Sequence, residues 1–487
     1  MKKLVSLTQR EVIDFSLESL YHNKQVFIDM EMGMGKTITV LELLKEVVGN
    51  DERRILYICP TGLVPQVGKV ANESYPNLKI DFKAFGWFQD LEFLKSQMNL
   101  AKQYDIVIVD EAHKIKSYSS SILAQAEKDL DYFLDLKNFC EPTFTGNEKV
   151  NWDMPPGYIT PTKKTKRGNK FPYTLVSIGV LAFIKHIKYR VFMSGTAMPL
   201  GAVDIFNFLW LGKHKKLISN PHSRQESYFD FCNSYCIKKQ TPNGVSYSGF
   251  NKKNYPRLLE NLSDCYIRRE HIHEQTEHLK IPDPIYTQIQ IEDSEKNYLE
   301  EERIIEVLRK HYNVNSENFL QILKTTPQFA QMMVLRRAVG ISKVTKILKH
   351  DKKIGKKAIY FFQFKEASQI FFNAISKKHE NCYHITGELS IKKTAKIIEH
   401  ANALDGCIIV ATMGKAGTGF DCNGFSTIAF CELDMNFALV EQARGRILRK
   451  GIKHTPRIFF FLTPGGVDEM VVNNLLSKNF KSLSKVG

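Results

Sequence analysis

Residues 25–48 read QVFIDMEMGMGKTITVLELLKEVV. A short β-branched and aromatic run, QVFID, gives way to the glycine-rich turn Met32-Gly-Met-Gly-Lys-Thr37, and the turn to apolar residues at helical spacing. Strand, glycine turn and helix in that order make an anion cradle. Backbone N–H groups and the positive helix end surround phosphates, a Lys reaches the terminal phosphates, and a Thr hydroxyl binds magnesium. Gly33 and Gly35 supply the turn, and Lys36 and Thr37 fit the other two roles. Met30 stands where GxxxxGK[ST] usually has its first glycine, so the spelling is a variant.

Working outward, the same alternation recurs. RILYICP, YDIVIVDEAH and KYRVFMSGT follow in the first part of the chain, and KKAIYFFQF, GCIIVATM, TIAFCEL and PRIFFFL in the last. Buried strands interleaved with amphipathic helices imply parallel α/β sheets. Between the two sets the patterning is mostly helical, as in SEKNYLEEERIIEVLRKHY. The expected division is a first α/β lobe over 1–214, a helical insert over 215–335, and a second lobe over 336–487. A surface excursion over about 126–172 interrupts lobe one. Its PTKKTKRGNK stretch carries Lys163, Lys164, Lys166, Arg167 and Lys170 and no acidic residue, which suits either a solvated face or a nucleic-acid contact.

Composition bounds the rest. With 487 residues and 43% hydrophobic content the chain has material for two or three domains, and a net charge of +16 makes a polyanion a natural partner. No apolar run reaches membrane-spanning length, and MKKLVSLTQREVIDF meets charged residues before any apolar core of signal-peptide length forms, so a soluble, intracellular protein without a membrane partner is expected. The nine Cys are scattered without CxxC pairs, and reduced thiols are expected. Cys232, Cys236 and Cys265 with His271, His273 and His278 lack knuckle spacing and read as packing. The stretch 343–357, with seven Lys and one Asp, suits either a phosphate contact or a solvated helix.

Two further clusters carry chemistry. The strand YDIVIV ends in Asp110-Glu-Ala-His113, and adjacent carboxylates at a strand's C-terminal end suit a magnesium-nucleotide site. Asp110 is assigned to the metal together with Thr37, and Glu111 to the base that orients and deprotonates water. Near the far end, Gln442-Ala-Arg-Gly-Arg446-Ile-Leu-Arg449 places Arg446 and Arg449 three apart, on one face of a helix. Such a pair can serve as arginine fingers offered by lobe two to a phosphate held by lobe one.

In this order, with Gln9 upstream and Ser194-Gly-Thr196 between, the motifs resemble the superfamily 2 helicases and translocases. LTQREVIDF looks like the Q motif, ICPTGLVPQ like motif Ia, SGTAMP like motif III and AGTGFD like motif V. The resemblance implies two RecA-like lobes, with ATP and Mg2+ as cofactors and Lys36, Asp110, Glu111, Gln442, Arg446 and Arg449 as catalytic residues. It implies that Gln9 reads adenine and that Gly417, Gly419 and Asp421 line the cleft. It further implies that Pro60 and Thr61 touch nucleic acid and that His113, Ser194, Gly195 and Thr196 couple the lobes. The block from Phe229 to Arg269 (FCNSYC, NGVSYSGFNKKNYPRLLENL, YIRRE) resembles Swi/Snf-type enzymes, most closely the annealing-helicase, HARP-type branch. Motif VI departs from that family's QAEDRxHRxGQ: Arg444, Gly445 and Leu448 stand at its Glu, Asp and His positions.

The expectation is therefore a DNA-dependent ATPase of the Swi/Snf type that translocates on double-stranded DNA and remodels or anneals forked or branched DNA, a monomeric motor being compatible and the oligomeric state left open. A strand-separating DNA or RNA helicase and a nucleotide-gated clamp without turnover are the alternatives. The Lys/Asn/Ile/Phe-rich composition suits a phage or viral minimal form, and hence a bacterial host cytoplasm.

Overall fold

The computed structural model describes residues 5–89, 91–115, 172–195, 197–198, 201–241, 244–274, 280–292, 295–312, 328–416, 422–435, 437–448, 452, 454–464, 466, 468–469 and 472. Two six-stranded sheets organise them. The first is built from β1 (Gln25–Met30), β2 (Arg54–Cys59), β3 (Lys79–Ala84), β4 (Ile106–Asp110), β5 (Tyr189–Ser194) and, after the hairpin β6 (Ile237–Thr241) and β7 (Gly244–Ser248), β8 (Tyr266–Arg269). Its spatial order is β3-β2-β4-β5-β1-β8, all parallel. The second comprises β9 (Ile285–Gln290), β10 (Lys357–Phe362), β11 (Cys382–Ile385), β12 (Cys407–Thr412), β13 (Thr427–Phe430) and β14 (Arg457–Leu462). Its order is β11-β12-β10-β13-β14-β9, again all parallel.

Helices on both faces explain why the central strands are apolar without alternation. Every residue of β1 and of β4 is buried. In lobe one Phe27, Val107 and Phe192 pack on one side, while Val26, Ile28, Ile108 and Val191 pack on the other. In lobe two Ile359, Ile409 and Phe460 face one layer, and Tyr360, Val410 and Phe461 the opposite one. These are the two RecA-like lobes expected.

The sheets do not follow the expected domain limits. Tyr266–Arg269 pairs with β1 and completes the first sheet well past residue 214, while Ile285–Gln290 pairs with β14 and completes the second well before 336. Both are edge strands. β8 is only four residues long, and in β9 exposed Ile285, Gln288 and Gln290 interrupt the buried positions, so neither shows the continuous apolar run of a central strand. The segment expected to be a helical insert therefore belongs in part to both lobes. It also supplies the helices Arg224–Tyr235, Tyr255–Leu262 and Glu295–Tyr312. Among the described residues, no helix is long and apolar enough to cross a membrane.

Candidate active site

Strand order builds the site. β4, β5 and β1 are neighbours, so the loops after Asp110, Ser194 and Met30 leave the sheet side by side. The register sets Ser194 opposite Asp29 and Asp110 opposite Met193, bringing all three loops out at one level. Ligands of open α/β sheets bind at the carboxyl ends of strands in this way.

The glycine turn has the geometry its residues require. Gly33 and Gly35 have φ of 86° and 84°, a region open to Gly at no steric cost, and Gly35 caps the helix Lys36–Val48. Lys36 Nζ donates to the Met30 carbonyl at 2.9 Å, folding back over the turn it is meant to serve. Gln9 lies beneath this turn. Its Nε2 donates to Gly35 O at 3.3 Å and Thr39 Oγ1 at 3.1 Å, and its Oε1 accepts the Ser6 N–H at 2.9 Å. Expected to read adenine, the Gln9 amide here braces the glycine turn, with its donor and acceptor both engaged by protein groups.

Asp110 and Glu111 behave differently although adjacent. Both are buried. Burial, then the neighbouring Glu111 charge, pushes the Asp110 carboxyl well above the usual carboxylate range. Burial acts on Glu111 too, but its contact with His113 and the charges of Lys36 and Lys114 outweigh it and hold that carboxyl low. Tyr57 Oη donates to Asp110 Oδ2 at 3.3 Å and the Glu111 N–H to Asp110 Oδ1 at 2.8 Å. Glu111 has φ of 56°, a left-handed conformation that costs a non-glycine residue about 1–3 kcal/mol and is retained mostly at functional sites. His113 Nδ1 lies 3.0 Å from Ser194 Oγ and 3.3 Å from Glu111 Oε2. The acid pair and the Ser194 loop are thus joined through one imidazole.

These residues fit a magnesium-nucleotide. A buried carboxylate whose charge is disfavoured by burial and a like neighbour is one that a divalent cation would relieve. The positive-φ glycines leave backbone at a helix N-terminus for phosphates to approach.

Lobe two meets this surface. Gln442 and Arg446 are buried, the first on the helix Phe437–Arg444 and the second just past it. A Cβ placed on Gly33 would lie 2.0 Å from the Leu448 carbonyl oxygen, so the end of motif VI rests on the glycine turn. Pro60 and Thr61 follow β2, with Pro60 buried and Thr61 exposed. Lys163, Lys164, Lys166, Arg167, Thr196, Gly417, Gly419, Asp421 and Arg449 lie outside the described residues.

Several site residues escaped the sequence reading. Asp29, buried one residue before Met30, accepts from Tyr266 Oη at 2.6 Å and lies 3.7 Å from Arg268 Nη1. Glu31 and Arg444 face each other across the lobes. An acidic residue within the last turn of a strand before a glycine loop was the available signal for Asp29. Cys232 and Cys236 are buried in the aromatic layer of lobe one, whereas Cys265 lies with His214 and Asp264, their donor atoms within 4.8 Å of one another.

Residues 340–451 match the family model described as helicase conserved C-terminal domain. The second lobe is thus similar to the conserved C-terminal domain of helicases. Among curated relatives, the transcript termination protein A18 of Yaba-like disease virus is 23% identical over 153 residues, covering 29% of this chain and 32% of that protein. The RAD54-like DNA repair and recombination protein of Gallus gallus is 26% identical over 161 residues, covering 32% of this chain and 21% of that protein. The chain therefore spans about a third or less of the length of these relatives. Among solved structures, the ATP-dependent Type ISP restriction-modification enzyme LlaBIII bound to DNA aligns with 98% of this chain and 30% of its own, at 11% identity and a TM-score of 0.52. At that identity the likeness is one of fold.

Proposed function

We propose that this chain is a superfamily 2, Swi/Snf-type DNA-dependent ATPase that translocates on double-stranded DNA and remodels or anneals forked DNA. The observation that carries the reading is the contact of the motif VI segment with the glycine turn, beside the Asp110 and Glu111 pair. Two lobes that meet at a phosphate site can convert hydrolysis into relative motion. The RAD54-like relative, a DNA repair and recombination protein, supports DNA as the polymer, as does the net charge of +16.

Bound magnesium would neutralise phosphate charge as it is transferred to water. Asp110 and Thr37 would hold the ion, and the Gly33–Gly35 backbone with Lys36 the phosphates. Glu111 orients water and takes its proton, its low proton affinity keeping it ionised at neutral pH. His113 keeps that carboxylate in register with Ser194, the last residue of β5. Arg446 offers positive charge from lobe two when the cleft is closed. Pro60, Thr61 and the 163–167 basic run form part of the DNA path, and the two six-stranded sheets with the helices packed on them act as the two moving bodies.

Phosphate release measured with duplex DNA, single-stranded DNA and RNA tests the reading. Duplex should stimulate most, and Lys36→Ala or Glu111→Gln should lower turnover by about 100-fold or more. Near-normal turnover of Glu111→Gln would remove it as the base. Triplex displacement without fork unwinding is the expected pairing; efficient fork unwinding would instead favour a strand-separating helicase. DNA binding gated by ATP with no turnover would favour a clamp.

A further inference from the structure

We infer that Glu31 and Arg444 form an interlobe latch that seats the Gln442–Leu448 segment on the glycine turn, making Arg444 a positioning residue for closure of the cleft. Arg444 ends the helix Phe437–Arg444 of lobe two, and Glu31 opens the glycine loop of lobe one, 413 positions away in the chain. Arg444 Nη2 donates to Glu31 Oε1 at 3.1 Å and to Glu441 Oε2 at 2.6 Å, and Nη1 donates to Tyr286 Oη at 2.8 Å. The Arg444 and Glu441 side chains are only 14% and 11% exposed, and Glu31 26%, so water screens this contact less than a surface pair.

Each partner is held by its own lobe. Glu31 Oε2 accepts the His271 N–H at 2.9 Å, the Glu31 N–H donates to Arg269 O at 2.9 Å, and His271 Nε2 sits 2.6 Å from Met32 O. Tyr286, on β9, and Glu441 hold the guanidinium on the other side. Neither group can follow its partner if the lobes separate, so opening must break the pair.

Charge and space add to the case. Two acidic side chains, Glu31 and Glu441, converge on the single Arg444 guanidinium, and burial, with a smaller addition from the Glu31 charge, raises the proton affinity of Glu441 even with Arg444 opposing it. Without Arg444 they would face one another across the cleft at low exposure and repel. The approach is also close: a Cβ on Gly445 would lie 2.7 Å from Met32 Cβ, which leaves no room for a side chain there. At these two positions the Swi/Snf motif VI spells Glu and Asp. A Glu at 444 would be repelled by Glu31 and an Asp at 445 would strike Met32, so the latch is a feature of this chain's own spelling.

The consequence for turnover rests on the hydrolytic reading above; the latch itself does not. Donor and acceptor dyes on non-natural residues at Lys69 and Glu388, whose side chains are 74% and 72% exposed on lobe one and lobe two, would report interlobe distance without nucleotide or DNA. Wild-type protein should show a closed population that Arg444→Glu loses and the exchange Glu31→Arg with Arg444→Glu regains at least in half. Thermal unfolding of each variant checks that it is folded. An unchanged distance distribution in folded Arg444→Glu, or no recovery in the folded exchange variant, would overturn the latch. In the same preparations Arg444→Glu should lower kcat about 10-fold with KM for ATP changed less than about twofold. Absence of wild-type turnover would sink the hydrolytic reading while leaving the distance measurement intact.

Discussion

Gly195 has no side chain, and the space this leaves is already shared. A Cβ there would lie 3.0 Å from Lys36 Nζ and 2.9 Å from Met32 Cγ. The ammonium is the far end of a flexible chain and can move, so Gly195→Ala should fold normally yet displace Lys36 from its place over the turn. Turnover should fall by about 10-fold, the scale of ~1.4 kcal/mol in positioning, with thermal stability nearly unchanged. Phosphate release beside a melting curve checks both halves. Lys36, Asp110, Glu111 and His113 were legible because each belongs to a local string whose spacing has a chemical reason. Gln9 was legible as a site residue but not in its contacts, since Gly35 and Thr39 come to it only when two helices pack together.

The helix Gln328–Ile347 shows at the scale of an element how a charge pattern misleads. Lys343 heads the Lys-rich stretch that suited phosphate or solvent, yet it is fully buried, with Nζ 2.5 Å from Asp468 Oδ2 and 2.8 Å from Phe461 O. Arg336, about two turns earlier on the same helical face, joins the same carboxylate at 3.4 Å. Beside them Glu432 Oε2 accepts the Gln363 and Phe364 N–H groups at 2.8 and 2.9 Å, tying the end of β10 to the end of β13. Burial pushes the Glu432 carboxyl up to about 7, against the bonds from Phe364 N–H and the charge of Lys343. Its folded proton affinity exceeds its unfolded one, so its contribution is full at low pH and is lost as pH rises from about 4.5 to about 7. Glu432→Gln keeps an oxygen for both backbone donors and removes the titration. Urea unfolding at pH 5 and pH 8 should show the wild type losing roughly 2–3 kcal/mol that the variant does not lose. An equal pH dependence in both would count against burial as the cause.

For the whole molecule, the +16 charge is divided between jobs. Lys343 and Arg336 neutralise a buried carboxylate, Arg444 pairs with Glu31 across the lobes, and Lys36 folds over the glycine turn, so none of these is counted toward DNA affinity. Enough remains for affinity to fall steeply with salt, by about 10³-fold or more between 50 and 200 mM for a groove making six or more phosphate contacts. Replacing Lys163, Lys164, Lys166 and Arg167 by Ala should flatten that slope, by about one unit for each DNA phosphate no longer neutralised, if the run touches the backbone. Titrations by fluorescence anisotropy at several salt concentrations read both numbers. By itself the sequence determined two parallel α/β lobes, a glycine turn between strand and helix, and a carboxylate pair at a strand end, because strand periodicity and motif spacing are local and survive without knowledge of neighbours. Tertiary structure alone decided that β8 and β9 complete the sheets, that Lys343 is buried, and that Glu31 meets Arg444. An edge strand borrows its identity from the strand it pairs with, and a charge takes its role from whatever faces it. Both depend on contacts between distant parts of the chain, which no local pattern encodes.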